Sequence, residues 1–204
     1  MKALLLLAGA VVAGAVIWFL ASPLFVDEAV DEAFPAAAVT TMPDKAQLMA
    51  MPAEERAALE RAMMEKMAGA ADQEVAETMP PMPADAGPVL LRRGAFSDVD
   101  ALHRGAGDAL VYALPDGSQL LRLENFRASN GPDLYVYLAR HPAPARAADV
   151  EQGYLSLGRL KGNVGNQNYA IPAGTALEEY GSVVIWCQLF GVLFSPAPLT
   201  AVQP

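Results

Sequence analysis

The sequence predicts an all-β domain, an antiparallel β-sandwich of jelly-roll-like type, preceded by a transmembrane helix and a partly helical linker. Three observations carry this. A charge-free apolar run opens the chain, and an acidic, proline-rich stretch follows it. From about residue 89, short apolar runs recur between turn residues, with no long helical pattern among them.

The apolar run spans Ala3 to Phe25. As a helix it extends about 34 Å, enough to cross a hydrocarbon core of about 30 Å. Its small-residue pairs, Ala8/Ala10 and Ala13/Ala15, precede the bulky block Ile17–Leu20 rather than following the apolar region. That order favours an anchor over residues 1–26, with a cleaved signal peptide as the alternative. Lys2 stands before the span, and Asp27, Glu28, Asp31 and Glu32 stand after it. The positive-inside rule places the N-terminus in the cytoplasm and the rest outside. The expected localisation is the cell membrane, single-pass and anchored through residues 3–25, with an extracytoplasmic C-terminal domain.

Residues 27–88 carry 13 acidic and 4 basic side chains, so the net charge of −9 resides there. They read as a linker with one helix near 52–68. Pro52 opens the helix, Glu54 and Glu55 lie at the positive end of its dipole, and Gly69 ends it. Leu59, Met63 and Met67 recur on one face. All eight methionines after the first lie between Met42 and Met82. Thioethers favour Cu(I), but Met is also a good helix former and a flexible gap-filler. A further reading makes 44–82 an acidic segment that recruits a partner or an ion.

Residues 89–204 carry 10 acidic and 9 basic side chains and are long enough to bury their own core. With no basic footprint, nucleic acid is not an expected partner. The stretch DALVYALPDGSQLLRLENF predicts a hairpin turning at Pro115-Asp116-Gly117-Ser118. On its second strand Leu121 and Leu123 face inward, and Arg122 and Glu124 face water. DLYVYLA predicts a strand, 143–152 a minor helix, and SVVIWCQLF and GVLFSPAPL the last strands. In Ser182–Phe190 both parities are apolar, which marks a central strand covered on both faces.

That strand holds Cys187, the only cysteine. A buried free cysteine is a small hydrophobe and needs no partner, even outside the cytoplasm. The two histidines, His103 and His141, lie in loop-like stretches. The chain has no Cys-x-x-Cys, His-Glu-x-x-His, Gly-x-Ser-x-Gly, phosphate loop or dinucleotide fingerprint.

A family resemblance covers about Leu90 to Leu199. Its residues are Gly94-Ala95-Phe96, His103, Gly107, LRLENF (121–126), NGPDLYVYL (130–138) and Gly158-Arg159-Leu160-Lys161-Gly162. Gly165-Asn166-Gln167-Asn168-Tyr169 with Ile171-Pro172, YGSVVIWCQLFGVLF and Ala197-Pro198-Leu199 complete the ordered set. In this order they resemble the DM13 domain. The resemblance implies a sandwich-like domain outside the cell membrane, related to DOMON-type domains. It also implies electron transfer or a redox reaction through Cys187, and the pairing of strands distant in sequence offers a way to bring His103 to it. A Cys187–His103 pair would hold haem or a copper or iron ion, or activate a thiolate. The donor, acceptor and cofactor are left open. The alternative is a non-enzymatic binding or adhesion module. It would use loops 127–133, 141–152 and 161–168 for a sugar, a cell-wall component or another protein, with Cys187 as core packing.

Overall fold

The computed structural model describes residues 43–83 and 86–202. The anchor expected over 3–25 lies outside the described residues. Among these, no helix is long and apolar enough to cross a membrane.

Two helices come first, α1 (Lys45–Ala50) and α2 (Ala53–Ala68). Where one helix was expected, there are two. The reason for α1 is a capping box: Asp44 Oδ1 accepts from the Gln47 amide at 2.8 Å, and Gln47 Oε1 accepts from the Asp44 amide at 2.9 Å. α2 begins after Pro52 and ends at Gly69, as its sequence predicts. Its deeply buried side chain is Met64, with Leu59 and Met63 half-buried beside it.

The strands are β1 (Glu74–Ala76), β2 (Val89–Ala95), β3 (Gly105–Ala113), β4 (Gln119–Ala128) and β5 (Leu134–Ala139). After the short helix α3 (Ala147–Val150) come β6 (Tyr154–Arg159), β7 (Val164–Ile171), β8 (Ser182–Cys187), β9 (Val192–Pro198) and β10 (Thr200–Ala201). They form a six-stranded sheet, β1-β7-β4-β3-β2-β10, and a four-stranded sheet, β6-β5-β8-β9. All pairings are antiparallel except β1 with β7. Apolar side chains of both sheets share one core: Val111, Leu121 and Leu123 from the larger sheet, Val136, Leu138, Val183 and Ile185 from the smaller. The molecule is the all-β sandwich that the strand pattern predicts.

The β3–β4 hairpin turns where expected. Gly117 takes φ +84°, and the Ser118 carbonyl accepts from the Leu114 amide at 2.8 Å. β8 lies between β5 and β9, and all six of its residues are buried. Val183, Ile185 and Cys187 enter the inter-sheet core. Val184 and Trp186 join Tyr137, Val150 and Leu193 on the other face. The strand ends at Cys187, and Gln188–Phe190 form the turn into β9. β9 tolerates Pro196 and Pro198 because it is an edge strand.

Residues 44–78 of the linker expected over 27–88 are built into the domain. Leu48 and Met64 sit in the sandwich core, and from Pro43 onward the chain is one unit. β1 pairs with β7, bringing Glu74 opposite Val164 and Ala76 opposite Asn166. The strap at 72–78 changes the wet face of β4. Arg122, expected to face water, is 6% exposed and lies under the strap, donating to the Glu77 carbonyl and to Asn168 Oδ1. Its Nε pairs with Glu124 at 2.7 Å.

Candidate functional site

Cys187 ends β8, with its carbonyl accepting from the Gly191 amide at 2.9 Å. It is 1% exposed, in a core that also holds Leu134, Phe190, Phe194, Leu48 and Met64. Burial pushes the thiol up to about 11, from an ordinary value of 9.0. The Phe190 and Leu189 amides of the turn approach the sulfur and pull the other way. The Asp133 and Glu60 carboxylates add to the rise. At neutral pH the group is therefore a thiol.

His103 occupies the turn before β3 and is 7% exposed, although its stretch read as a surface loop. Asp100 builds the turn: its Oδ1 accepts from the amides of Leu102 and His103, each at 2.8 Å. Asp100 Oδ2 meets His103 Nδ1 at 2.8 Å, and Glu60 of α2 meets Nε2 at 3.1 Å. The ring stands edge-on to Phe194, centroids 4.6 Å apart. Burial opposes the imidazolium, but bonds to Glu60 and Asp100 and the charge of both outweigh it. The His103 pKa is raised above 6.5. The same pairing lowers that of Asp100, against its own partial burial.

Cys187 and His103 thus share one end of the sandwich, through the Phe194 side chain and the field of Glu60. They do not touch as a ligand pair: among the described residues no hydrogen bond joins them. Both nitrogens of His103 are engaged by carboxylates, and the sulfur lies in apolar packing. No group of three His, Cys, Asp or Glu side chains able to hold a metal occurs among the described residues. The residues as placed do not fit a haem, copper or iron site spanning this pair. His141 remains a loop residue, its Nδ1 accepting from the Ala143 amide at 3.2 Å.

Sequence reasoning missed Glu60 and Asp100. The spacing Asp100-x-x-His103 signals a side-chain-capped turn and offers a clue to Asp100. Nothing in the sequence pairs Glu60 with residue 103, because the contact is made between distant elements. Also missed was a cleft of ≈ 450 Å³ between α2 and the 98–106 segment. Arg104, Arg127, Ser129, Asn130 and Asn163 supply its polar groups. Arg127 pairs with Asp72 at 3.1 Å and Arg104 with Asp98 at 3.5 Å. The cleft touches two of the expected binding loops, 127–133 and 161–168, and a smaller one of ≈ 230 Å³ lies along Gly131, Arg159 and Gly162.

No curated protein and no solved structure matches the chain. The family model described as electron transfer DM13 matches residues 96–199, from the turn that carries His103 through both strands that surround Cys187. That match covers half of the 204 residues and takes in His103, Cys187 and most of the ordered motifs, so the chain belongs to the DM13 family.

Proposed function

We propose that the protein is a membrane-anchored, extracytoplasmic DM13 domain that takes part in electron transfer, with Cys187 as its redox-active group. The family's description supports the activity. The observation that carries the role of Cys187 is its setting: a sulfur kept from solvent and approached by two backbone amides. A thiol raised to about 11 is a poor nucleophile, which disfavours thiol–disulfide exchange in the closed domain. His103 lies nearby with the Asp100 and Glu60 carboxylates on its two nitrogens, and the charge of Glu60 opposes a thiolate at Cys187. The membrane is engaged through residues 3–25, and the further partner is a redox or cell-surface protein outside the cytoplasm.

The test is an equilibrium redox titration of the folded chain beside Cys187→Ser, with visible spectra and metal analysis of both. A couple present in the parent and lost with the sulfur, at unchanged fold, is the expected result. A chain with no couple, colour or metal would end the redox reading.

The ≈ 450 Å³ cleft favours one second reading, a module that binds a small polar ligand. Its volume is in the range of small-molecule sites, and donors and acceptors converge on it. Titration with soluble sugars, uronic acids and cell-wall fragments tests this. Affinity lost in Arg127→Ala but kept in Cys187→Ala supports binding independent of the thiol.

A further inference from the structure

The family match begins at Phe96, yet the core around Cys187 is completed by residues far upstream. Leu48 on α1 is fully buried there and Met64 on α2 is 4% exposed. Met51, Leu59 and Met63 pack at the edge of the same cluster. The Met49 methyl carbon lies 3.6 Å from where a Cβ on Gly191 would stand, in the turn that closes onto the Cys187 carbonyl. Glu60 follows Leu59 and precedes Met64 by one turn, so it shares the face of α2 that meets the sandwich. The helices thus meet the sandwich at the turn that follows Cys187 and at His103, and the Glu60 charge reaches the sulfur.

Their attachment is thin. Each contributes one deeply buried side chain. The ion pair that joins α2 to the sandwich is Glu60 with His103, at 3.1 Å. His103 meets it already oriented, because Asp100 fixes the other ring nitrogen and Phe194 supports the ring. Helices of 6 and 16 residues have little stability alone and persist only while docked.

The strap that follows is held quite differently. Asn163 Oδ1 accepts from the Gln73 amide at 2.7 Å, and its Nδ2 donates to Asp72 at 2.7 Å. Glu77 takes the Lys161 ammonium at 2.7 and 2.9 Å and the Asn168 amide at 2.6 Å. A weakly buried element joined to a heavily bonded one opens locally, well before the molecule unfolds.

We propose that residues 44–68 are a hinged cap over Cys187, pivoting where Gly69 leads into the strap and latched by Glu60 on His103. Opening the cap, with the sandwich intact, is the step that lets a partner approach the sulfur. The purpose of the motion rests on the redox reading of Cys187, but the motion itself does not.

The experiment uses the full-length chain in mild detergent. Native-state hydrogen exchange across low urea is followed beside alkylation of Cys187 under the same conditions. The amides of α2 are expected to exchange through an opening of small urea dependence, at least about tenfold faster than those of β4 and β8. Cys187 is expected to alkylate in step with α2. Glu60→Gln removes a charge-assisted bond and is expected to raise both rates about tenfold, leaving β4 and β8 unchanged. Alkylation only at the rate of global unfolding would overturn the cap. So would α2 amides that exchange together with β8. Should Glu60→Gln fail to fold, the parent's exchange pattern decides alone. A redox titration without a couple would remove the electron-transfer reading and leave the cap standing, and the reverse holds as well.

Discussion

At the scale of single residues, Cys187 and His103 show how burial sets chemistry. The thiol loses water and gains no cation, so its charged form is disfavoured. A rise from 9.0 to about 11 lowers the thiolate fraction at neutral pH about a hundredfold. Alkylation of the native protein at pH 7 is expected to fall below that of free cysteine by at least that factor, and denaturation is expected to abolish the difference. Cys187→Ala leaves a small void in the core and should lower stability by about 1–2 kcal/mol in urea titration. His103 is also buried but meets two carboxylates, which favour its charged form and raise its pKa. The two-sided apolar pattern of β8 foretold the burial of Cys187. Nothing in ALHRGAG foretold that of His103, because its cover is Phe194 and a helix more than forty residues away.

At the scale of elements, the strap at 72–78 was the least legible. Three residues, Glu74–Ala76, make too short a strand to show alternation. Its register is set by β7 rather than by any pattern of its own. The sign of it in the sequence is on the other side of the contact. Gly162 and Gly165 leave room for the strap's backbone: a Cβ at 162 would meet the Gln73 carbonyl, and one at 165 that of Val75. Gly165 also takes φ +103°, where a side chain is strained. Gly165→Ala is therefore expected to cost about 2 kcal/mol or more in urea unfolding. Hydrogen-exchange protection should be lost first at β1. Asn163→Ala leaves the Gln73 amide without its acceptor and should cost about 1–3 kcal/mol in the same measurement. The hairpin at 115–118, by contrast, was readable in full, since a turn's chemistry is local.

At the scale of the whole molecule, stability should depend on pH from two directions. His103 has a folded pKa above its ordinary 6.5. Its contribution is fully present below that value and is lost as pH rises through the raised one. Asp100 and Glu77 have folded values below 3.8 and 4.5. Their contributions are present above those values and are lost as pH falls through the lowered ones. Urea midpoints across pH should therefore decline on both sides, and His103→Gln should flatten the alkaline decline and reduce the acid one toward the part that Glu77 supplies.

What the sequence determined by itself was whatever is local or periodic. Alternation marked β4, two-sided apolarity marked β8, turn residues marked the hairpin, and Gly69 marked the end of α2. The ordered motifs from Gly94 to Leu199 identified the family. What the tertiary structure decided was which faces were covered and by what. α1 and α2 became part of the core, the strap buried Arg122, and Glu60 was delivered to His103. The physical reason is that a side chain's solvent and partners are set by elements far away in the chain. A periodic pattern reports that a face needs cover, and only the folded chain supplies it.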